Sequence, residues 1–179
     1  ASNLAAFLYA LRAQYPDYYR NIVDTIRLAA PFLKDFALRP SPLNPKQIKL
    51  EWLHEGSDAY FDASSLSDGS LRFICLATLL LQPSLPSVVL LDEPELGLHP
   101  AAITDLASLL RRTSTRTQVI VSTQSVTLVN HLRPEDIVVA DRTGGTSVFR
   151  RLEAPEIAGW VAEFALGELW EKNILGGRP

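Results

Sequence analysis

The 179-residue sequence has a single cysteine and no methionine. One thiol, Cys75, excludes an internal disulfide and any cysteine-rich zinc site, and it fits a chain kept in a reducing compartment such as the cytoplasm. In the helix-like run from Ile74 to Leu81 it reads as a small core residue. Without a methionine, Ala1 is not a start residue, and the expectation is that the chain is the tail of a longer protein. Long apolar runs are missing too. The most apolar stretch, Leu71 to Leu81, is interrupted by Thr78 and followed by Gln82-Pro83, short of the roughly 18 residues that cross a bilayer. Positive charge is not in excess: 17 Lys and Arg against 20 Asp and Glu give a net charge of −3. The surface as a whole therefore lacks the basic field on which non-specific nucleic-acid binding relies, which leaves only a local patch for such a partner. His54, His99 and His131 follow no metal-ligand spacing, which argues against a zinc site. What is present, 47% hydrophobic and 21% charged residues, is enough to bury a core and excludes a disordered chain.

Hydrophobic spacing gives the organisation. Leu4, Phe7, Leu8 and Leu11 recur at helical intervals, with Ser2 or Asn3 as cap. Pro16-Asp17 restarts the pattern, with Tyr18, Ile22, Ile26 and Ala29 on one face until Pro31 ends it. The proline-rich segment Arg39 to Pro45 reads as a connector. Lys46 to Leu53 and Ala59 to Phe61 read as an antiparallel hairpin turning at Gly56-Ser57. A small polar loop, Leu66-Ser67-Asp68-Gly69-Ser70, then opens a helix through Leu81. Val88 to Leu91 and Val119 to Val121 are short apolar runs expected to be strands buried on both faces, separated by a helix that starts at Pro100. Val126 to Leu132 reads as a helix, Ile137–Ala140 and Ser147–Leu152 as a hairpin closed at Gly144-Gly145, and Ile157 to Leu169 as a last helix; Trp160, Phe164 and Trp170, at helical spacing, are expected to close the core. The whole predicts an α/β fold with a largely parallel sheet.

Three segments carry chemistry. Val88 to Leu91 delivers Asp92 and Glu93 to the carboxyl end of a strand, where ligands bind in open α/β sheets. A carboxylate there holds Mg²⁺ through its water shell, and the next one polarises water toward a γ-phosphate; an acidic pair serves equally as a solvated turn or a helix cap. Ser67, Gly69 and Ser70 at a helix start make an anion cradle, or simply an N-cap. Ser122-Thr123-Gln124-Ser125 collects hydroxyls and an amide at the tip of the second strand. Arg111, Arg112 and Arg116 read as the solvated end of a helix rather than a DNA contact.

In this order and spacing the segments resemble the C-terminal half of an ATP-binding-cassette ATPase of the SMC/RecF-like branch, especially the OLD-like or AAA_21-type bacterial ATPases, over about Ser64 to Leu132. Leu66 to Ser70 is similar to the family's signature loop, departing from it at Asp68 and Ser70. Asp92-Glu93 matches Walker B, and Glu95-Leu96-Gly97-Leu98-His99-Pro100 matches the Glu-x-Gly-Leu-His-Pro continuation through the D-loop. Gln124 stands where the family has its switch histidine; an amide donates a hydrogen bond to a γ-phosphate but carries no proton.

The resemblance implies a P-loop NTPase-like fold, with residues 1–45 a helical insertion and connector and 46–179 the distal half of a nucleotide-binding domain. It implies ATP hydrolysis at a head-to-tail homodimer interface, with ATP and Mg²⁺ as cofactors. Asp92 would hold the metal, Glu93 act as base and Gln124 sense the γ-phosphate. Ser67, Gly69 and Ser70 would complete the partner's site, and His99 position the D-loop. It further implies work in DNA repair or phage defence, with DNA and a nuclease or toxin as partners. No Gly-x-x-x-x-Gly-Lys-Ser/Thr phosphate loop occurs in the sequence, so that half is expected upstream and this chain alone is expected to be inactive. Two rivals stand beside this reading. One is a non-catalytic dimerisation or docking module, and the other an OLD-type metal-dependent nuclease using Asp92, Glu95 and Asp141.

Overall fold

The first apolar stripes become helices in the computed structural model, which describes residues 3–42, 44, 47–153, 157, 159–160 and 163–177. Helix α1 (Leu4–Gln14) buries Leu4, Leu8 and Leu11 and has Asn3 at its N-cap without a side-chain bond; Ser2, the other candidate cap, lies outside the described residues. Helix α2 (Pro16–Ala29) starts with its proline in the first turn and buries Tyr19, Ile22, Val23 and Ile26, an i, i+3, i+4, i+7 arc. The inward tyrosine is thus Tyr19 rather than Tyr18, which is exposed. The Tyr19 hydroxyl donates to Asp35 Oδ1 at 2.6 Å. Burial, followed by this bond, pushes the phenol above its ordinary range.

Residues 33–40, left without an element between the stop at Pro31 and the connector read from Arg39, form strand β1 (Leu33–Pro40). The period-two signal is hidden because Phe36, Ala37 and Leu38 are all buried and the register shifts between Leu33 and Asp35, as at a bulge. Pro40 sits at the strand's last position, where a missing N–H does least harm. β1 pairs antiparallel with β2 (Ile48–His54), and β2 with β3 (Tyr60–Asp62), so the expected hairpin is present, although Lys46 lies outside the described residues. The boundary expected at 45/46 falls between β1 and β2, inside one sheet. Arg12 on α1 donates to the carbonyl of Leu38 at 2.9 Å, tying helix to strand.

Helix α3 (Asp68–Leu81) and helix α4 (Pro100–Thr113) pack against each other and against α2. Their shared interior includes Phe73, Ile74, Leu80 and Leu106, each nearly or fully inaccessible. Thr113 Oγ1 donates to the Leu80 carbonyl at 3.2 Å where the two helices end. Strands β4 (Val88–Asp92) and β5 (Gln118–Ser122) form a two-stranded parallel sheet. They are not buried on both faces as expected: Val89 is buried, but Val88, Leu90 and Ile120 are exposed at 43%, 72% and 49%. Among the described residues the other two sheets are antiparallel, so parallel pairing is confined to this pair.

The chain divides into two compact units, one up to Val121 and one from Ser122 onward. In the second, α5 (Val126–Val129) is followed by the hairpin of β6 (Val138–Thr143) and β7 (Thr146–Arg151) and by α6 (Leu166–Glu171). Leu152, Ile157, Leu166, Leu169 and Leu175 form its core. The helix expected over 157–169 is interrupted, because Ala165 has extended backbone at ψ 154° and α6 begins only after it; residues 158, 161 and 162 of that span lie outside the described residues. Phe164 and Trp170 pack on the core as expected, whereas Trp160 is 47% exposed.

Candidate functional site

The short polar loop before α3 folds as a helix cap. The Ser67 hydroxyl accepts from the Ser70 N–H at 3.1 Å and lies 2.9 Å from the Ser70 hydroxyl. The capping reading of Ser67 therefore holds, and the first-turn N–H groups of Asp68 and Gly69 stay outside the helical ladder, with the positive end of the helix dipole behind them. Capping and anion binding are compatible here.

Asp92 ends β4 on its exposed face, beyond Val88 and Leu90 in the period-two alternation. Glu93 follows with φ of 43°, a left-handed conformation that costs an L-residue about 1–2 kcal/mol and that a following proline, here Pro94, further disfavours. Two donors meet its carbonyl: the Leu96 N–H at 3.2 Å and Arg72 Nη1 at 3.1 Å. The chain then turns through buried Pro94 and Glu95 and through Gly97 at φ 80°, where glycine suits the positive φ. His99 caps α4, its Nδ1 accepting from the Ala101 N–H at 3.3 Å, and so fixes the end of this loop.

The cap of α3 and the loop after β4 meet directly. A Cβ on Gly69 would lie 2.2 Å from the carbonyl oxygen of Gly97, so only glycine lets the two backbones approach this closely. Together with the end of α2 they line a cleft of about 150 Å³ that includes Ser67, Ser70 and His99. A larger hollow of about 430 Å³ lies at α6, but its lining holds Glu163, Glu168 and Glu171 against the one cation of Lys172, which repels a triphosphate.

Ser122 to Ser125 lies in the second unit. Ser125 caps α5, accepting from the Leu128 N–H at 3.2 Å, and Thr123 Oγ1 accepts from the Ser125 N–H at 3.0 Å; Gln124 is exposed. Asp141, the third acid of the nuclease rival, accepts from the Gly177 N–H at 2.7 Å, and Glu95 is only 6% exposed. Among the described residues no three of His, Cys, Asp and Glu converge on a metal position. A single exposed carboxylate suits Mg²⁺, which keeps most of its waters and takes the rest of its shell from substrate phosphates. Asp92, exposed at the strand end, suits that role, and among the described residues there is no closed protein cage. Burial pushes the Cys75 thiol upward, away from nucleophilic use.

Sequence reasoning missed Arg72 and the Gly69–Gly97 contact. Arg72 had a signal, being the only charged residue between Leu71 and Leu81; the contact had none, since it joins glycines 28 positions apart by backbone alone.

The parallel pair and its flanking helices make a mixed α/β fold, which is shared with solved structures of P-loop NTPase type. The chain is similar to a structure determined for ATP-driven dimerization and DNA-stimulated activation of SMC ATPases (19% identity, TM-score 0.59, 88% of this chain and 98% of that one). It is also similar to the Smc head domain with an extended coiled coil bound to the C-terminal domain of ScpA from Pyrococcus furiosus (19%, 0.63, 87% and 39%), and to the SMC head domain of Thermotoga maritima (18%, 0.52, 83% and 52%). It thus spans less than two thirds of the latter two. No curated protein is matched by the sequence. The chain belongs to the AAA_21 family, described as "AAA domain, putative AbiEii toxin, Type IV TA system", which matches residues 4–130. That match takes in α1, α2 and the β1–β3 sheet as well as the segments from Ser64 on which the resemblance rests.

Proposed function

We propose that the chain is the distal half of an ATPase module and hydrolyses ATP once a phosphate-loop lobe sits on the exposed face of β4–β5. The carrying observation is that face itself: Val88 and Leu90 on β4 and Ile120 on β5 are exposed at 43%, 72% and 49%, and β4 leads on to Asp92 and Glu93. Apolar strand residues left in water beside a pair of acids favour a lobe that covers the former and presents phosphates to the latter. Asp92 would hold Mg²⁺, which supplies charge neutralisation for the phosphates. Glu93 would take a proton from the attacking water, and Gln124 would donate to the γ-phosphate. Ser67, Gly69 and Ser70, with the free end of α3 behind them, would meet the nucleotide of a second copy, and His99 would hold the D-loop beside them. The SMC ATPases similar to this chain are described with ATP-driven dimerization and DNA stimulation; a head-to-tail homodimer acting on DNA, in repair or phage defence with a nuclease or toxin partner, extends the reading to this protein.

Glu93→Gln is the test, in the polypeptide that carries the phosphate loop. Turnover should fall by about a hundredfold or more, within the range for one general base, while an ATP-dependent dimer persists in light scattering. Near-normal hydrolysis in Glu93→Gln, or turnover by the 179-residue chain alone, overturns this reading. A dimer that forms equally well without ATP favours the docking-module rival, which the exposed Gln124 and the missing phosphate loop also suit.

A further inference from the structure

The loop from Glu93 to His99 is held at both ends by the first turns of α3. At its far end Gly97 leans on Gly69, with no room for a Cβ between them. At its near end Arg72, five residues after the Ser67 cap, crosses to the Glu93 carbonyl at 3.1 Å. Glu93 stands at φ 43° although it is neither glycine nor asparagine and precedes a proline, and such a residue stays left-handed only where its surroundings fix it. The turn bond from the Leu96 N–H is local and comes with the loop. The guanidinium contact comes from another element, α3, and it brings a full positive charge to a carbonyl, a stronger bond than a neutral donor makes.

We propose that Arg72 is a positioning residue: by holding the Glu93 carbonyl it keeps that residue left-handed and sets the direction in which its carboxylate leaves the backbone. Helix α3 thereby links two duties. Its first turn faces the cleft of Ser67 and Ser70, and one turn later its arginine aims the acid of its own chain. A ligand that shifts the α3 cap therefore shifts Glu93. The catalytic part of this inference rests on Glu93 being the base; the conformational part does not.

The experiment has two arms. In the 179-residue chain, the ¹³Cα and ¹³Cβ shifts of Glu93 report its backbone region, and Arg72→Gln, whose shorter amide does not reach, should move them from left-handed toward extended values. Unchanged shifts overturn the proposal. Arg72→Met, which keeps the apolar stem without a donor, serves if Arg72→Gln does not fold; if neither folds, the contact is needed for folding and the positioning role is rejected. In the hydrolysing polypeptide, Arg72→Gln should lower kcat by about tenfold, within the penalty of a small misplacement, with KM for ATP little changed and most of the rate recovered in Arg72→Lys. Combined with Glu93→Gln it should cost nothing more, because a residue acting through Glu93 has nothing left to aim. An additional multiplicative loss in the double variant overturns the positioning role. If Glu93→Gln alone is fully active while the shifts still move, the base assignment fails and the conformational coupling stands.

Discussion

Leu106 and Leu90 are the same residue in opposite settings within one unit. Leu106 on α4 is fully buried among α2, α3 and α4, whereas Leu90 on β4 is 72% exposed. Both lie in runs that read as core, and the strand run Val88-Val89-Leu90-Leu91 is the more apolar of the two. Apolar patterning reports what a segment is able to bury; whether it does so depends on the element that arrives to cover it. Helix α4 finds its cover within this chain. The two-stranded β4–β5 sheet has one face covered, at Val89, and one face in water.

The sharpest way to break the contrast is to truncate both leucines. Leu106→Ala should destabilise the chain by about 2–5 kcal/mol, the loss for a fully buried leucine that leaves a cavity, read as a lower denaturation midpoint at unchanged m. If it costs less than 1 kcal/mol, the packing of α2, α3 and α4 described here is wrong. A smaller effect belongs to the edge of the same interior. Tyr19→Phe removes the hydroxyl bonded to Asp35 and should cost about 1 kcal/mol. It should also change the alkaline limb of stability. With its phenol held above the usual 10.0, the native state keeps a proton that the unfolded state releases, so stability is full below that value and falls as pH rises past it. Tyr19→Phe should flatten this fall, and an identical slope in both proteins would remove the Tyr19–Asp35 contact from the account. The smallest effect is expected at the exposed face: Leu90→Ser should change the stability of the chain by less than about 0.5 kcal/mol while weakening association with a phosphate-loop lobe. A loss comparable to Leu106→Ala would mean that the face is covered in this chain after all.

Much of the fold was legible because periodicity is a local property. The helices α1 to α4, the β2–β3 hairpin and the Gly144-Gly145 hairpin follow from spacing and turn residues. β1 was not, since its bulge and its three consecutive buried residues erase the alternation that marks a strand. The last helix was overextended because residues 157–169 carry helical spacing across Ala165, and nothing local requires that residue to be extended. At the candidate site, Ser67, Asp92 and Glu93 stand out by their positions at element ends, where dipoles and strand tips expose them, whereas His99 enters through the family resemblance. Arg72 was passed over because a lone arginine in an apolar helix has no sequence partner; its acceptor is a backbone carbonyl 21 residues away.

The sequence by itself determined the helices α1 to α4 and the β2–β3 and β6–β7 hairpins, where the polar loops open onto them, and that two acids stand at a strand end, since each depends on neighbours within a few residues. Only the tertiary structure decided that Ser67 spends its hydroxyl on a cap, that Gly69 is needed for backbone contact with Gly97, that Glu93 is left-handed under Arg72, and that β4 and β5 keep an apolar face in water. Those properties arise where distant segments meet, or where none does, and close approach between backbones leaves no trace in the order of side chains.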